Sequence, residues 1–243
     1  MADRLIYGVQ AVRGMLRRCP ERVLQVYADE DLGAKRRARI PELDALADRL
    51  ETVDRAALDR LCKGGLHQGL AARVEAQEPL SEAAAKDRVR ELSNPLLLLL
   101  DGVQDPRNFG ACLRTANAAG VDLVVVGRSR NVGLTPVVSK VAAGAAELQP
   151  VAAVANLARF MAFLRDSGVF VIGADDGAPA ELHMADLRGP LALVMGAEGE
   201  GLRRLTRERC DLLVRIPMRG SVESLNVAVA TGVCLYEALR QRT

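Results

Sequence analysis

The chain has 243 residues, 49% hydrophobic and 26% charged, enough for one large domain or a small domain beside a medium one. Aromatic residues make up 3% with no Trp, which disfavours platforms of stacked bases and leaves charge and hydrogen bonds for any nucleic-acid contact. The net charge of +2 comes entirely from residues 1–76, with 14 Lys and Arg against 12 Asp and Glu, so bulk charge neither marks a nucleic-acid binder nor excludes one. In the first part of the chain, Ile6 to Arg18 reads as a helix after Gly8, Val23 to Ala28 as a strand and Ile40 to Leu50 as a helix. Thr52 to Leu61 reads as a further helix, and a strand from Leu70 closes this α/β unit, residues 1–76. Lys35, Arg36, Arg37 and Arg39 form a basic run suited to phosphate contact. His67 fits a turn or an RNA contact better than a metal ligand, and His183 fits a solvated loop.

Residues 77–94 are polar, lack an evident buried face and are punctuated by Pro79 and Asn94-Pro95, which reads as a linker with an exposed helix. Residues 95–243 alternate short apolar runs with helical patterns. Strands are expected at Leu96–Leu100, Val121–Val126, Val169–Ile172, Leu191–Met195 and Leu212–Ile216. Helices are expected at Phe109–Ala119, Pro136–Ala145, Asn156–Ser167, Gly201–Glu208 and Leu225–Gln241. Continuous apolar strands alternating with helices predict a parallel sheet covered on both faces, with ligands at the carboxyl ends of its strands. Arg203, Arg204, Arg207 and Arg209, interleaved with Glu200 and Glu208, read as a salt-bridged helix face. The five cysteines share no CxxC spacing, which argues against a metal site and for reduced thiols in a cytoplasmic protein. MADRLIYGVQ has no apolar signal core, and the run Leu96–Leu100 is too short to span a bilayer, so no membrane partner is expected.

Three loops follow predicted strands. In DGVQDPRNFGACLRTANAAG, residues 101–120, Asp105-Pro106 forces a turn, Asn108 opens a helix and Arg114 lies one to two turns on. Periodicity does not by itself put Asn108 and Arg114 on one face, and the same residues fit a capped helix with a surface arginine. In LVMGAEGEGL, residues 193–202, the spacing of Gly196, Gly199 and Gly201 is not that of a phosphate-binding loop. Glu198 and Glu200 would repel a pyrophosphate, whereas a cationic ligand without phosphate fits, with glycines admitting it close to the backbone. A glycine-rich turn with solvated glutamates is the plainer alternative. In RIPMRGSVESLNVAVATG, residues 215–232, Ser224 reads as the N-cap of a helix from Leu225, which leaves Asn226 in its first turn.

These three loops, in this order, resemble the signature motifs of the SpoU (SPOUT) class of RNA ribose 2′-O-methyltransferases. KVAAGAAE at 140–147, LTRERCD at 205–211, YGVQAV and HQGLAARV extend the likeness over nearly the whole chain. They resemble the branch that methylates a guanosine in the peptidyl-transferase P loop of 23S ribosomal RNA. The resemblance implies a catalytic domain over 95–243 with a deep trefoil knot, and a small RNA-holding domain over 1–76 similar to ribosomal protein L30e/L7Ae. It also implies a homodimer with the active site completed at the subunit interface, S-adenosylmethionine as methyl donor, and 23S rRNA or a ribosome assembly intermediate as partner. By motif position, Gly196, Ile216 and Leu225 would contact the donor, and Asn108, Arg114, Glu198, Ser224 and Asn226 would line the reaction centre. An arginine is an awkward base, because its guanidinium stays protonated to a pKa of about 12 or more. Arg114 is better suited to gripping a phosphate, with a phosphate, Glu198 or water taking the hydroxyl proton. The motifs encode the reaction and not its target, so a transfer RNA, another ribosomal site, or a catalytically silent assembly factor are the competing expectations.

Overall fold

A computed structural model of the chain describes residues 3–32, 40–129 and 131–243. The basic run Lys35, Arg36, Arg37 and Arg39 lies outside the described residues. The chain forms two compact units, Met1–Gln77 with Ser139–Leu148, and Glu78–Val138 with Gln149–Thr243.

The first unit contains β1 (Asp3–Tyr7), α1 (Val9–Arg18), β2 (Val23–Asp29), β3 (Leu50–Val53), α2 (Arg55–Leu61) and β4 (Leu70–Glu75). Its sheet runs β1-β4-β2-β3, with β4 antiparallel to β1 and β2, and β3 parallel to β2. Val12, Met15 and Leu16 recur at helical spacing and bury one face of α1 against Val26, Leu70 and Ala72 of the sheet. Three expectations are corrected. β1 is a strand that takes in Ile6 and Tyr7, so the helix expected from Ile6 starts only at Val9. Residues Pro41–Arg49 form a 3-10 helix kinked at Leu46, not a regular α-helix. Thr52 lies in β3, and α2 starts only at Arg55, where the Asp54 carboxylate accepts the Ala57 amide at 2.6 Å. His67 is a buried turn residue. Its Nε2 meets Asp59 at 2.9 Å and its Nδ1 accepts the Gly69 amide at 3.0 Å, which assigns the proton to Nε2. Within the same unit the fully buried Glu147 is paired with Arg4 at 2.6 Å and also accepts from Ser139.

The second unit carries a seven-stranded sheet in the order β7-β6-β5-β10-β8-β11-β9, parallel throughout. Its strands are β5 (Leu96–Asp101), β6 (Leu123–Gly127), β7 (Val151–Val154), β8 (Phe170–Ala174), β9 (Ala180–Glu181), β10 (Leu191–Gly196) and β11 (Leu212–Arg215). Its helices are α3 (Glu82–Glu91), α4 (Pro106–Ala118), α6 (Leu157–Asp166), α7 (Arg204–Glu208) and α8 (Val227–Arg242), while α5 (Pro136–Ala142) is divided between the two units after Val138. Every residue of β5 is buried. Leu97 and Leu99 pack with Phe160, Met161 and Leu164 of α6, and strand alternation sends Leu96, Leu98 and Leu100 to the other face. Each of these leucines contributes roughly 1.5–3 kcal/mol by leaving water.

The segment expected to be a linker with an exposed helix carries that helix, but is built into this unit. Leu80 donates to Val151 and accepts from Ala153, and α3, capped by Ser81, buries Ala85 and Val89 in the core. A pair of small residues at i and i+4 is too slight a stripe to stand out in a polar sequence. The strand order reverses between β5 and β10: the chain leaves β5 towards β6 and β7, and leaves β10 towards β11 on the other side. Such a switch opens a crevice at the carboxyl ends of the two strands. Asp101 and Gly196, the last residues of β5 and β10, sit opposite each other there.

Candidate active site

The loop after β5 reaches α4 through a strong cap. Asp105 accepts the backbone N–H of Arg107 at 2.7 Å and of Asn108 at 2.9 Å, and Pro106 opens the helix where no amide is needed. Asn108 is thereby fixed in the first turn. The loop after β10 closes on itself, Ala197 and Gly201 exchanging backbone hydrogen bonds of 3.2 and 2.9 Å. A Cβ on Gly196 would lie 2.2 Å from the carbonyl carbon of Gly201, so the fold of the loop itself requires glycine here. Glu198 stands at the exposed tip. After β11 the chain runs through Ile216 and Ser224 to α8, whose N-cap is Asn226: its Oδ1 accepts the Ala228 amide at 3.0 Å. The expectation that Ser224 caps a helix starting at Leu225 is therefore corrected by two residues.

The three loops bring three of the expected catalytic side chains together. Asn108 Nδ2 donates to Glu198 Oε2 at 2.8 Å, and Asn226 Nδ2 donates to Asn108 Oδ1 at 2.9 Å and to Glu198 Oε1 at 3.5 Å. The cap fixes the direction of this network. Because the Asn226 oxygen faces the Ala228 amide, its nitrogen must face Asn108 and Glu198, which in turn leaves the Asn108 nitrogen for the carboxylate. Beside this network lies a cavity of about 280 Å³ lined by Gly196, Glu198, Ile216, Ser224 and Leu225, which places the three expected donor-contacting residues and two of the expected catalytic ones on one wall system. Asp175, Asp176 and Glu200 also face it, and among the described residues no Lys or Arg does, so the four carboxylates present suit a cationic ligand such as a sulfonium and repel a phosphate.

Arg114 is not drawn into this group. It is exposed on α4 and, among the described residues, has no hydrogen-bond or ion-pair partner. Two residues before it Cys112 faces Thr231 of α8, Sγ to Oγ1 3.6 Å, and burial pushes that thiol up to about 11, so it offers no nucleophile at neutral pH. Among the described residues no cluster of His, Cys, Asp and Glu is arranged to hold a metal ion, and no helix is long and apolar enough to cross a membrane.

Four residues around the site escaped the sequence reading. Of the arginines expected to pair along one helix face, only Arg204 does so, with Glu208 at 2.7 Å. Arg203 instead grips the fully buried Asp101 at the end of β5, and Arg207 meets Asp175 beyond β8 at 3.0 Å. The charge that ends the run LLLLLD was the available signal: a carboxylate closing a strand buried on both faces needs a partner.

Comparison with known proteins agrees with this geometry. The SpoU rRNA Methylase family profile matches residues 95–236, and that for RNA 2′-O ribose methyltransferase substrate binding matches residues 5–80. The chain is 50% identical over 239 residues to the 23S rRNA (guanosine-2′-O-)-methyltransferase RlmB of Pasteurella multocida, covering 98% of each. It is 48% identical over 239 residues to RlmB of Shewanella oneidensis, covering 98% of this chain and 97% of that one. Among solved structures, the SpoU methyltransferase AviRb from Streptomyces viridochromogenes in complex with AdoMet is similar with a TM-score of 0.76 at 26% identity, over 99% of this chain and 90% of that chain. The closed Asn108–Glu198–Asn226 network, the acidic cavity beside it and these full-length likenesses together place the chain in the SpoU rRNA methylase family.

Proposed function

We propose that the chain transfers a methyl group from S-adenosylmethionine to the ribose 2′-oxygen of a guanosine in 23S ribosomal RNA, in the peptidyl-transferase P loop. The observation that carries this reading is the carboxylate Glu198 held by two asparagine amides at the rim of a cavity lined by acids and glycines. When bound, S-adenosylmethionine supplies an electrophilic methyl on a sulfonium leaving group. Gly196, Ile216 and Leu225 form the wall against which it would lie, and the acidic residues favour its positive charge. Asn108 and Asn226 fix the rotamer of Glu198 and leave it lone pairs for a substrate hydroxyl, so the 2′-hydroxyl proton passes to Glu198 as the oxygen attacks. Ser224, exposed at the cavity edge, offers a hydroxyl to the ribose. Arg114, charged and unpaired among the described residues, grips a neighbouring phosphate and steadies negative charge developing on the oxygen.

In this reading residues 1–76 hold the RNA, residues 95–243 carry out transfer in a knotted domain, and the enzyme works in the cytoplasm as a homodimer. The exposed Val229, Val233 and Tyr236 support the dimer: they follow one face of α8 at helical spacing, an apolar stripe of the kind that marks a protein contact. A partner seated there would bring further residues to a site that in one chain leaves Arg114 apart. Ribose-methylation mapping of ribosomal and transfer RNA, in cells with and without the gene, tests the function. Loss of one 2′-O-methylguanosine in the 23S P loop is expected; an unchanged 23S map, or loss in transfer RNA alone, refutes the assignment.

A further inference from the structure

Helix α7 has only five residues, yet Arg203 at its N-cap and Arg207 within it reach the carboxyl ends of two different strands. Asp101, fully buried at the end of β5, accepts three hydrogen bonds from Arg203: the backbone N–H at 3.1 Å, Nε at 2.6 Å, and a close contact from Nη2. Arg203 directly follows the loop whose tip is Glu198, and Asp101 directly precedes the loop that leads to Asn108. One carboxylate thus ties the exit of one catalytic loop to the entry of the other. One turn further on, Arg207 meets Asp175 at 3.0 Å. Asp175 also accepts the Gly177 amide at 3.0 Å, which shapes a segment that lines the cavity together with Glu198.

We infer that Arg203 and Arg207 are positioning residues with separate duties: Arg203, through Asp101, sets Glu198 against Asn108 and Asn226 for the chemical step, while Arg207, through Asp175, holds the cavity wall that receives the methyl donor. The inference rests on the proposed reading of Glu198 as the group facing the ribose. Three features favour specific positioning over general stabilisation. The grip on Asp101 combines main chain and guanidinium, so it fixes the loop backbone as well as a side chain. The loop between Gly196 and Arg203 is closed by its own backbone pair and cannot absorb a shift at its base without moving its tip. The two ion pairs anchor different segments, one ending at the loop of Glu198 and one at Asp175–Gly177, so their loss should be told apart by kinetics.

The experiment compares Arg203→Ala and Arg207→Ala in the full chain, measuring turnover on a 23S transcript, affinity for S-adenosylmethionine by calorimetry, and donor stoichiometry to count folded sites. Arg203→Ala is expected to lower kcat per folded site by at least about tenfold, since small displacements of reacting groups carry large rate penalties, with donor affinity held within about threefold. Arg207→Ala is expected to weaken donor binding by about fivefold, because the wall must then be ordered on binding, with kcat at saturating donor within about twofold. Should Arg203→Ala yield no folded chain, Arg203→Lys keeps a charge against Asp101 while losing the two-pronged grip, and a fall in kcat of at least about threefold is read instead. The Asn108 side-chain amide resonances, assigned in the parent through Asn108→Asp, are expected to shift in the Arg203 variant and not in the Arg207 variant. Turnover of the Arg203 variant within about twofold of the parent, or the same division between kcat and affinity in both variants, overturns the inference. If the parent itself does not methylate the transcript, the functional reading fails, and the amide resonances and donor affinities still decide whether the two arginines act separately.

Discussion

Asn226 shows how one side chain serves fold and site at once. Its oxygen caps α8 and its nitrogen holds Asn108 and Glu198. Asp satisfies the cap equally well and is favoured by the helix dipole, but it places a second carboxylate against Glu198 and faces the Asn108 oxygen with an acceptor. Asn226→Asp is therefore expected to keep the melting temperature of the parent while methyl transfer falls at least about tenfold, a loss of the size seen when one preorganised polar group is removed. A variant with parental turnover would show that the network does not matter to the reaction. The loops leading to Asn108, Glu198 and Asn226 stand out because each follows an apolar run, where chemistry gathers, but the choice of these residues rests on the likeness to the SpoU motifs. Their mutual contacts were not legible. Ser224 and Asn226 are both good caps by residue type, and only the backbone settles which of the two neighbouring candidates starts the helix.

At the level of elements, the first turn of α4 has the clearest dependence on a single group. Asp105 satisfies two otherwise orphaned amides, one of them belonging to Asn108. Asp105→Ala is expected to cost about 1 kcal/mol of stability. It should also lower turnover beyond what the lost stability explains, because fraying moves Asn108 away from Glu198. Urea denaturation alongside kinetics at a temperature where both proteins are folded checks this, and a purely thermodynamic effect would remove Asp105 from the support of the site. The long elements of the second unit were readable from hydrophobic patterning, since β5 and β10 are buried on both faces and show unbroken apolar runs. The short ones were not. β9 has two residues, β7 reads VAAV, and neither offers a period long enough to recognise. The 3-10 character of Pro41–Arg49 is illegible for a related reason: over nine residues its pattern resembles that of an α-helix, and no Gly or inner Pro marks the kink at Leu46.

For the whole molecule, the parallel α/β architecture followed from the alternation of elements, whereas the strand order that creates the crevice at β5 and β10 depends on long-range pairing no local pattern encodes. The fold also buries thiols of the helices and of the turn before β11, and that has a measurable consequence. Burial pushes Cys112 up to about 11 and Cys234 up to about 12; Cys210 is also pushed up to about 12, by burial first and then by the neighbouring Asp211, Asp101 and Asp175. Unfolded, each would titrate near its ordinary value of 9.0. The folded state therefore retains protons that the unfolded chain gives up, and the sign follows: the contribution to stability is complete below about pH 9 and is lost as pH rises towards 11–12. Each such thiol takes up to ~1.4 kcal/mol of stability per pH unit in that window. Urea midpoints of the parent should accordingly fall more steeply between about pH 9 and 10.5 than those of a Cys112→Ala, Cys210→Ala, Cys234→Ala variant, whose remaining titrations are shared with the parent and cancel in the difference. Equal slopes would mean that these sulfurs are accessible to water in the folded chain, and would then have to be accompanied by rapid reaction of the native protein with a thiol reagent at pH 8.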